Sequence, residues 1–190
     1  MLNEYLYEFF LIIEAQPYSQ MLVSSYYLWN WTEATHVLSL MLCLGSLFII
    51  DLRMLGLILT QVPASNLADR LHKPMMLGFL IMFITGFLLV YAKPVEVVTS
   101  LWFRLKMLFL VLAFINAWIF NTRLKAAKSS WDNSPAAPRA LRIGAIISLL
   151  VWCCVVVLGR YIPYDWITCT NTDNSLLLWA SGCVDQLRNL

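Results

Sequence analysis

Residues 36–60 read HVLSLMLCLGSLFIIDLRMLGLILT, and the reading of this stretch decides the fold. It is one apolar run with a histidine, His36, at its start and an acid and a base, Asp51 and Arg53, near its end. About 20 apolar residues, each rising roughly 1.5 Å along a helix, cross a hydrocarbon core of about 30 Å, so the run can span a bilayer. Ionisable groups are costly inside such a run and are kept for function or for pairing. What His36, Asp51 and Arg53 face is therefore the first functional question.

Composition carries the reading outward. Of 190 residues, 61% are apolar and 13% are charged, whereas a soluble domain averages about 25% charged residues. This is the composition of a polytopic membrane protein, read as one membrane domain over residues 1–190. A net charge of only +2 offers no electrostatic footprint for nucleic acid, so the expected partner is the lipid bilayer. Residues 1–16, MLNEYLYEFFLIIEAQ, carry three glutamates and no basic segment, unlike a cleavable signal peptide.

Periodicity then divides the chain. Tyr5, Phe9, Ile12 and Ile13 recur at helical spacing, with Glu4 and Glu8 on another face. This predicts an interfacial helix over about 4–16, ended by Pro17. Residues 18–33 are rich in Tyr and Trp, the side chains favoured at headgroup level. Spanning helices are expected at about 33–59, 74–91, 100–120 and 140–161, with Pro74 in the first turn of the second. A polar linker, NTRLKAAKSSWDNSPAAPR, precedes the fourth span. A second interfacial helix is expected at about 175–188. The fold class is all-α: an integral membrane four-helix bundle with amphipathic helices at both termini. Ala140, Gly144 and Ser148 form a small-residue stripe suited to close helix packing or to a homo-oligomer.

Basic residues set the orientation. Arg53, Arg70, Lys73, Arg123, Lys125, Lys128, Arg139 and Arg142 fall on one side, and Lys93, Arg104, Lys106, Arg160 and Arg188 on the other. The positive-inside rule puts the first group in the cytoplasm and both termini in the periplasm of a bacterial inner membrane. Cys169 and Cys183, in the tail, then lie in an oxidising compartment and are candidates for a disulfide, with two free thiols as the alternative.

Two polar clusters follow from depth. Near the outer end lie Glu33, His36, Arg104, Lys106 and Arg160, an electropositive set suited to a lipid headgroup, a quinone carbonyl or a haem propionate. Snorkelling of the basic groups to lipid phosphate is the plainer alternative. His36 is also the candidate metal ligand, for haem b or copper, because neutral imidazole binds both. His72 falls at the opposite membrane edge and cannot share one haem with it. Deeper lies Asp51 with Asn116, Arg53 and Arg142, read as a structural polar cluster. At 100° per residue, Arg53 points away from Asp51 on their helix. No motif of soluble-enzyme chemistry is present, so no catalytic residue is assigned.

Glu33 and His36 open a helix that closes on Asp51-Leu52-Arg53-Met54-Leu55-Gly56. Phe103 and Lys106 follow, then Asn116, then Gly159-Arg160-Tyr161-Ile162 beyond Trp152. This pattern, over roughly residues 20–165, resembles a family of small four-helix bacterial inner-membrane proteins of unknown function. That family is distantly similar to the membrane domain of copper-resistance D proteins. The family often has a histidine soon after the asparagine of the third span. Asn121 stands there instead, which removes the most obvious intramembrane partner of His36. The expectation is a non-catalytic membrane subunit or binding protein with an outer pocket for haem, quinone, metal or lipid, perhaps accessory to a redox complex. The competing classes are a small copper or proton transporter using Asp51 and His36, and a protein that self-assembles through its helices.

Overall fold

The computed structural model describes residues 2–127, 131–132, 134–164 and 174–183. Among them the chain is all-α and contains no strand. Its helices are α1 (Leu2–Glu14), α2 (Pro17–Ser24), α3 (Tyr26–Leu55), α4 (Ala64–Ala92), α5 (Pro94–Val98), α6 (Leu101–Ala127), α7 (Arg139–Tyr161) and α8 (Ser175–Ser181), with a 3₁₀ turn at Ile162–Tyr164. Four of them, α3, α4, α6 and α7, are long and apolar enough to cross a membrane.

Observed boundaries differ from expectation where local signals are ambiguous. α3 starts at Tyr26 because nothing between the aromatic segment and Glu33 breaks a helix. α4 starts at Ala64, not at Pro74, and runs through that proline. Pro74 lacks the N–H that would bond the carbonyl four residues earlier, a loss that helices in a bundle tolerate. His72 is consequently an exposed residue within α4 rather than a loop residue before it. Pro17 ends α1 as expected, and it also opens α2 from its first turn. The described part of the last helix is Ser175–Ser181. It stops at Gly182, whose φ of +77° suits the left-handed residue that closes a helix.

Contacts group the chain into two compact units. The first holds residues 1–35, 84–108 and 155–190, and the second holds 36–83 and 109–154.

In the first unit the N-terminal helices are fastened to the corner between α4 and α5. Ser19, fully buried on α2, donates its hydroxyl to the carbonyls of Tyr91 (3.0 Å) and Ala92 (3.1 Å). These are orphan acceptors at the end of α4. Glu14 accepts from the Val95 N–H at 3.4 Å, in the first turn of α5. Lys93 pairs with Glu96 at 3.0 Å and lies 5.5 Å above the Trp29 ring. Tyr5, Phe9, Ile12, Leu176 and Trp179 remain exposed, as expected of helices with one apolar face toward lipid.

The second unit has its core at Ile50, Met54, Ala64, Trp131, Ala137, Leu141 and Ala145. α3 and α4 approach closely at Gly78, where a Cβ would come within 2.8 Å of the Cys43 backbone nitrogen. Phe79 packs on Trp152 with ring centroids 5.4 Å apart, and Phe83 stacks on Phe114 at 5.8 Å. Gly144 and Ser148 of the small-residue stripe are buried inside the chain. A Cβ at Gly144 would stand 3.1 Å from the Phe120 ring. Two of the three stripe residues thus pack within the subunit, and Ala140 is exposed.

Candidate functional site

Two sets of polar residues stand out, one in each unit. Their geometry separates groups that hold the fold from groups left available.

In the second unit, α3 closes on a Schellman turn. Leu57 N–H donates to the Leu52 carbonyl and Gly56 N–H to the Arg53 carbonyl, each at 3.0 Å. Gly56 sits at φ +79°, a conformation that costs side-chain-bearing residues and suits glycine. Leu59, at φ +49°, turns the chain again before α4. Arg53 is completely buried and lies beneath these turns. Its Nε donates to Val62 O at 2.9 Å, Nη1 to Pro135 O at 3.2 Å and Nη2 to Ser134 O at 3.1 Å. The planar fork matches three carbonyls that a single ammonium could not reach together.

The same linker is fixed by backbone and side-chain bonds. Ala137 N–H donates to Met54 O at 3.0 Å, and Ala64 N–H to Asp132 O at 3.2 Å. The Asp132 carboxylate accepts from the Ser65 N–H (2.7 Å) and hydroxyl (2.5 Å). Asp132 thus supplies, from across the sequence, the acceptor that the first turn of α4 lacks. A small cavity of about 50 Å³ lies beside it, lined by Met54, Ser65, Asp69, Leu124 and Trp131 among others.

Asp51 is also buried, but Ser148 on α7 is its hydrogen-bonding neighbour. Its Oδ2 has no partner among the described residues. Asn116 donates its amide to the Gly144 carbonyl at 3.1 Å, one turn before Ser148 on α7. Arg142 is exposed. The expected cluster of Asp51, Arg53, Asn116 and Arg142 therefore resolves into separate contacts. Arg53 clamps a loop, Asp51 and Asn116 each engage α7, and Arg142 joins neither. A carboxylate next to a serine one helix away carries no sequence signature, so Ser148 was legible only as a small residue.

In the first unit the expected basic residues take three different roles. Arg104 donates from Nε to Val98 O at 3.0 Å and from Nη2 to Asn3 Oδ1 at 3.4 Å. Its guanidinium lies so close to Gly182 that any Cβ there would overlap it. Arg104 is thus a tie between α1, α5 and α8. Arg160 is exposed on α7 and donates to the Tyr164 hydroxyl at 2.6 Å, with its guanidinium 4.8 Å from that ring.

Lys106 differs from both. It is half-buried on α6 and makes no hydrogen bond or ion pair among the described residues. A Cβ placed on Gly159 of α7 would stand 3.0 Å from its ammonium nitrogen. One turn earlier on the same face, Trp102 stacks on Tyr161 with centroids 5.1 Å apart and planes 30° apart. The Trp102 Nε1 is buried and has no hydrogen-bond partner among the described residues. Trp102, Gly159 and Tyr161 were missing from the expected site. The available signal was the spacing of Trp102 and Lys106, four residues apart, opposite a glycine.

His36 is half-buried in the second unit, and its backbone carbonyl accepts from the Ser39 hydroxyl at 2.9 Å. Among the described residues no three His, Cys, Asp or Glu side chains gather into a group that could hold a metal ion. Cys169 lies outside the described residues, so its expected bridge to Cys183 does too.

No curated protein and no solved structure matches the chain, and no likeness to copper-resistance D proteins is shown. The stretch from residue 22 to residue 165, which spans all four long helices, matches the family of unknown function DUF6644, and the chain belongs to that family.

Proposed function

We propose that the protein is a non-catalytic membrane subunit or binding protein that holds a ligand at the Lys106 end of its spanning helices. The observation that carries this reading is the Lys106 side chain, half-buried against Gly159 of α7 with no hydrogen bond or ion pair among the described residues. A cation partly withdrawn from water gains from an acceptor beside it. A ligand with an acceptor group supplies it: a lipid phosphate, a quinone carbonyl or a haem propionate. The distribution of basic residues favours the periplasmic side of a bacterial inner membrane for this end. The test is to purify wild-type protein and Lys106→Gln in mild detergent, record absorption spectra, and identify extracted small molecules by mass spectrometry. A haem, quinone or lipid retained by wild type and lost from Lys106→Gln is expected. Identical extracts would defeat the reading.

A second reading has its own observation. Asp51 is 3% exposed and one of its oxygens has no partner among the described residues, and intramembrane acids commonly line ion or proton paths. A transporter of copper or protons would lose uptake in proteoliposomes on Asp51→Asn while keeping its elution volume. Normal uptake by that variant excludes the transport reading.

A further inference from the structure

We infer that the second unit, at the end where α3 closes, carries a collar of cations that docks on anionic lipid headgroups of the surrounding leaflet. The collar is Arg70, Lys73, Arg123, Arg139 and Arg142, and it is independent of the Lys106 reading. It starts from a core that gathers three helices. Leu71 of α4, Leu124 of α6 and Leu141 of α7 all belong to or pack against the cluster around Met54, at the end of α3. The five cations lie within two positions of these leucines. Arg70 and Lys73 flank Leu71, Arg123 precedes Leu124, and Arg139 and Arg142 flank Leu141. The core that holds the leucines therefore brings the cations to one end of the unit, and all five are exposed.

Their charge is not spent on the fold. None of the five side chains makes a hydrogen bond or ion pair among the described residues. The acids of the unit do not offset them. Asp51 is buried, Asp132 is engaged by Ser65, and Asp69 is exposed. The occupant follows from what each cation adjoins. Met76, Leu77 and Leu80 follow Lys73, Trp118 and Ile119 precede Arg123, and Ile143 and Ile146 stand beside Arg139 and Arg142; all are exposed. On each of three helices an exposed apolar face thus ends in an exposed cation, which is the order of tails and headgroups along a lipid. A soluble acidic partner would meet the cations and leave these faces bare, whereas lipid covers both. The long stems lie along the apolar face while the charges reach the headgroups. A zwitterionic lipid also offers a phosphate but carries no net charge. The surplus of cations over exposed acids therefore selects lipids with net negative charge.

The decisive experiment reconstitutes the full chain in phosphatidylcholine bilayers with a trace of spin-labelled phosphatidylglycerol or spin-labelled phosphatidylcholine. Electron paramagnetic resonance reads the share of each label immobilised at the protein, and their ratio is the anionic preference. Wild type is expected to prefer phosphatidylglycerol several-fold at low salt, with the preference shrinking as salt screens the charges. Arg70→Gln/Lys73→Gln, Arg123→Gln and Arg139→Gln/Arg142→Gln remove the charge helix by helix, at exposed positions that folding tolerates. Each should lower the preference, the double substitutions about twice as far on a logarithmic scale as Arg123→Gln. All five together should remove most of it. Melting temperatures check folding, and the salt arm, read on wild type alone, decides the matter if a combined variant does not fold. Equal immobilisation of the two labels by wild type would overturn the lipid assignment and leave the cations to an acidic soluble partner. A preference that survives all five substitutions, or that salt leaves unchanged, overturns it as well. A loss confined to one helix would overturn the collar as a shared surface.

Discussion

Replacing Arg53 tests the clamp between the end of α3 and the 134–135 carbonyls. In Arg53→Met the apolar stem is retained and the guanidinium is removed. Three bonds disappear, to Val62, Ser134 and Pro135. Each joins a charged donor to a carbonyl, a class worth about 1.5–3 kcal/mol. Pro135 is exposed while Val62 and Ser134 are only half so, so water replaces the guanidinium most readily at Pro135. Two effective losses amount to about 3–6 kcal/mol, comparable with the cost of breaking a buried charged contact. Arg53→Lys keeps the charge but can serve one carbonyl at a time, and should lose about half as much. The assays are thermal unfolding of the purified chain in detergent and hydrogen exchange at the Ala137 and Ala64 amides. Both amides bond across the linker junction, so both should lose protection in Arg53→Met. Wild-type melting with undiminished protection would refute the clamp. Equal stability of Arg53→Lys and wild type would refute the role of the planar fork.

Other substitutions probe neighbouring contacts. Gly56→Ala meets both a left-handed backbone and the Ala136 Cβ at 2.9 Å, and should lower stability by about 1–3 kcal/mol in a detergent melt. Asp132→Ala removes both side-chain bonds to Ser65 and should cost about 1 kcal/mol, with faster exchange confined to the first turn of α4. Gly144→Leu drives a side chain into the Phe120 ring, so it should reduce folded yield rather than change subunit number, as judged by size-exclusion chromatography. If both termini face the periplasm, Cys183 should resist alkylation until a reductant is added, and labelling without reductant would count against a bridge to Cys169.

The four spanning helices could be read from composition because apolar runs of such length have few other uses. Their ends could not. Pro74 reads as a helix start because proline favours the first turn. The true start at Ala64 depends on Asp132, 67 positions from Ser65, whose capping bond leaves no local trace. Helical geometry did separate Arg53 from Asp51. It could not supply the partners of Arg53, since backbone carbonyls have no sequence identity. The division of labour among Arg104, Lys106 and Arg160 was not legible. Arg104 is taken up by Asn3 and Val98, Arg160 by Tyr164, and Lys106 by neither a carbonyl nor a carboxylate. Such differences depend on which side chains the terminal helices bring near, and that is a tertiary fact.

The most specific stretch of the chain, Asp51 to Gly56, is therefore a poor guide to what the protein binds. Arg53 and Gly56 both work on the 134–137 segment, one through its carbonyls and the other by leaving room for Ala136. Met54 adds a backbone bond to Ala137 from the same turn. Three of these six residues thus tie one loop to the end of one helix. Asp51 alone in the stretch keeps an oxygen uncommitted. Function is better sought where charged groups remain unspent among the described residues, and Lys106 is one for which the fold supplies no hydrogen bond or ion pair there. A variant series that lowers stability at Arg53 and Gly56 but changes ligand content only at Lys106 would separate architecture from binding within one molecule.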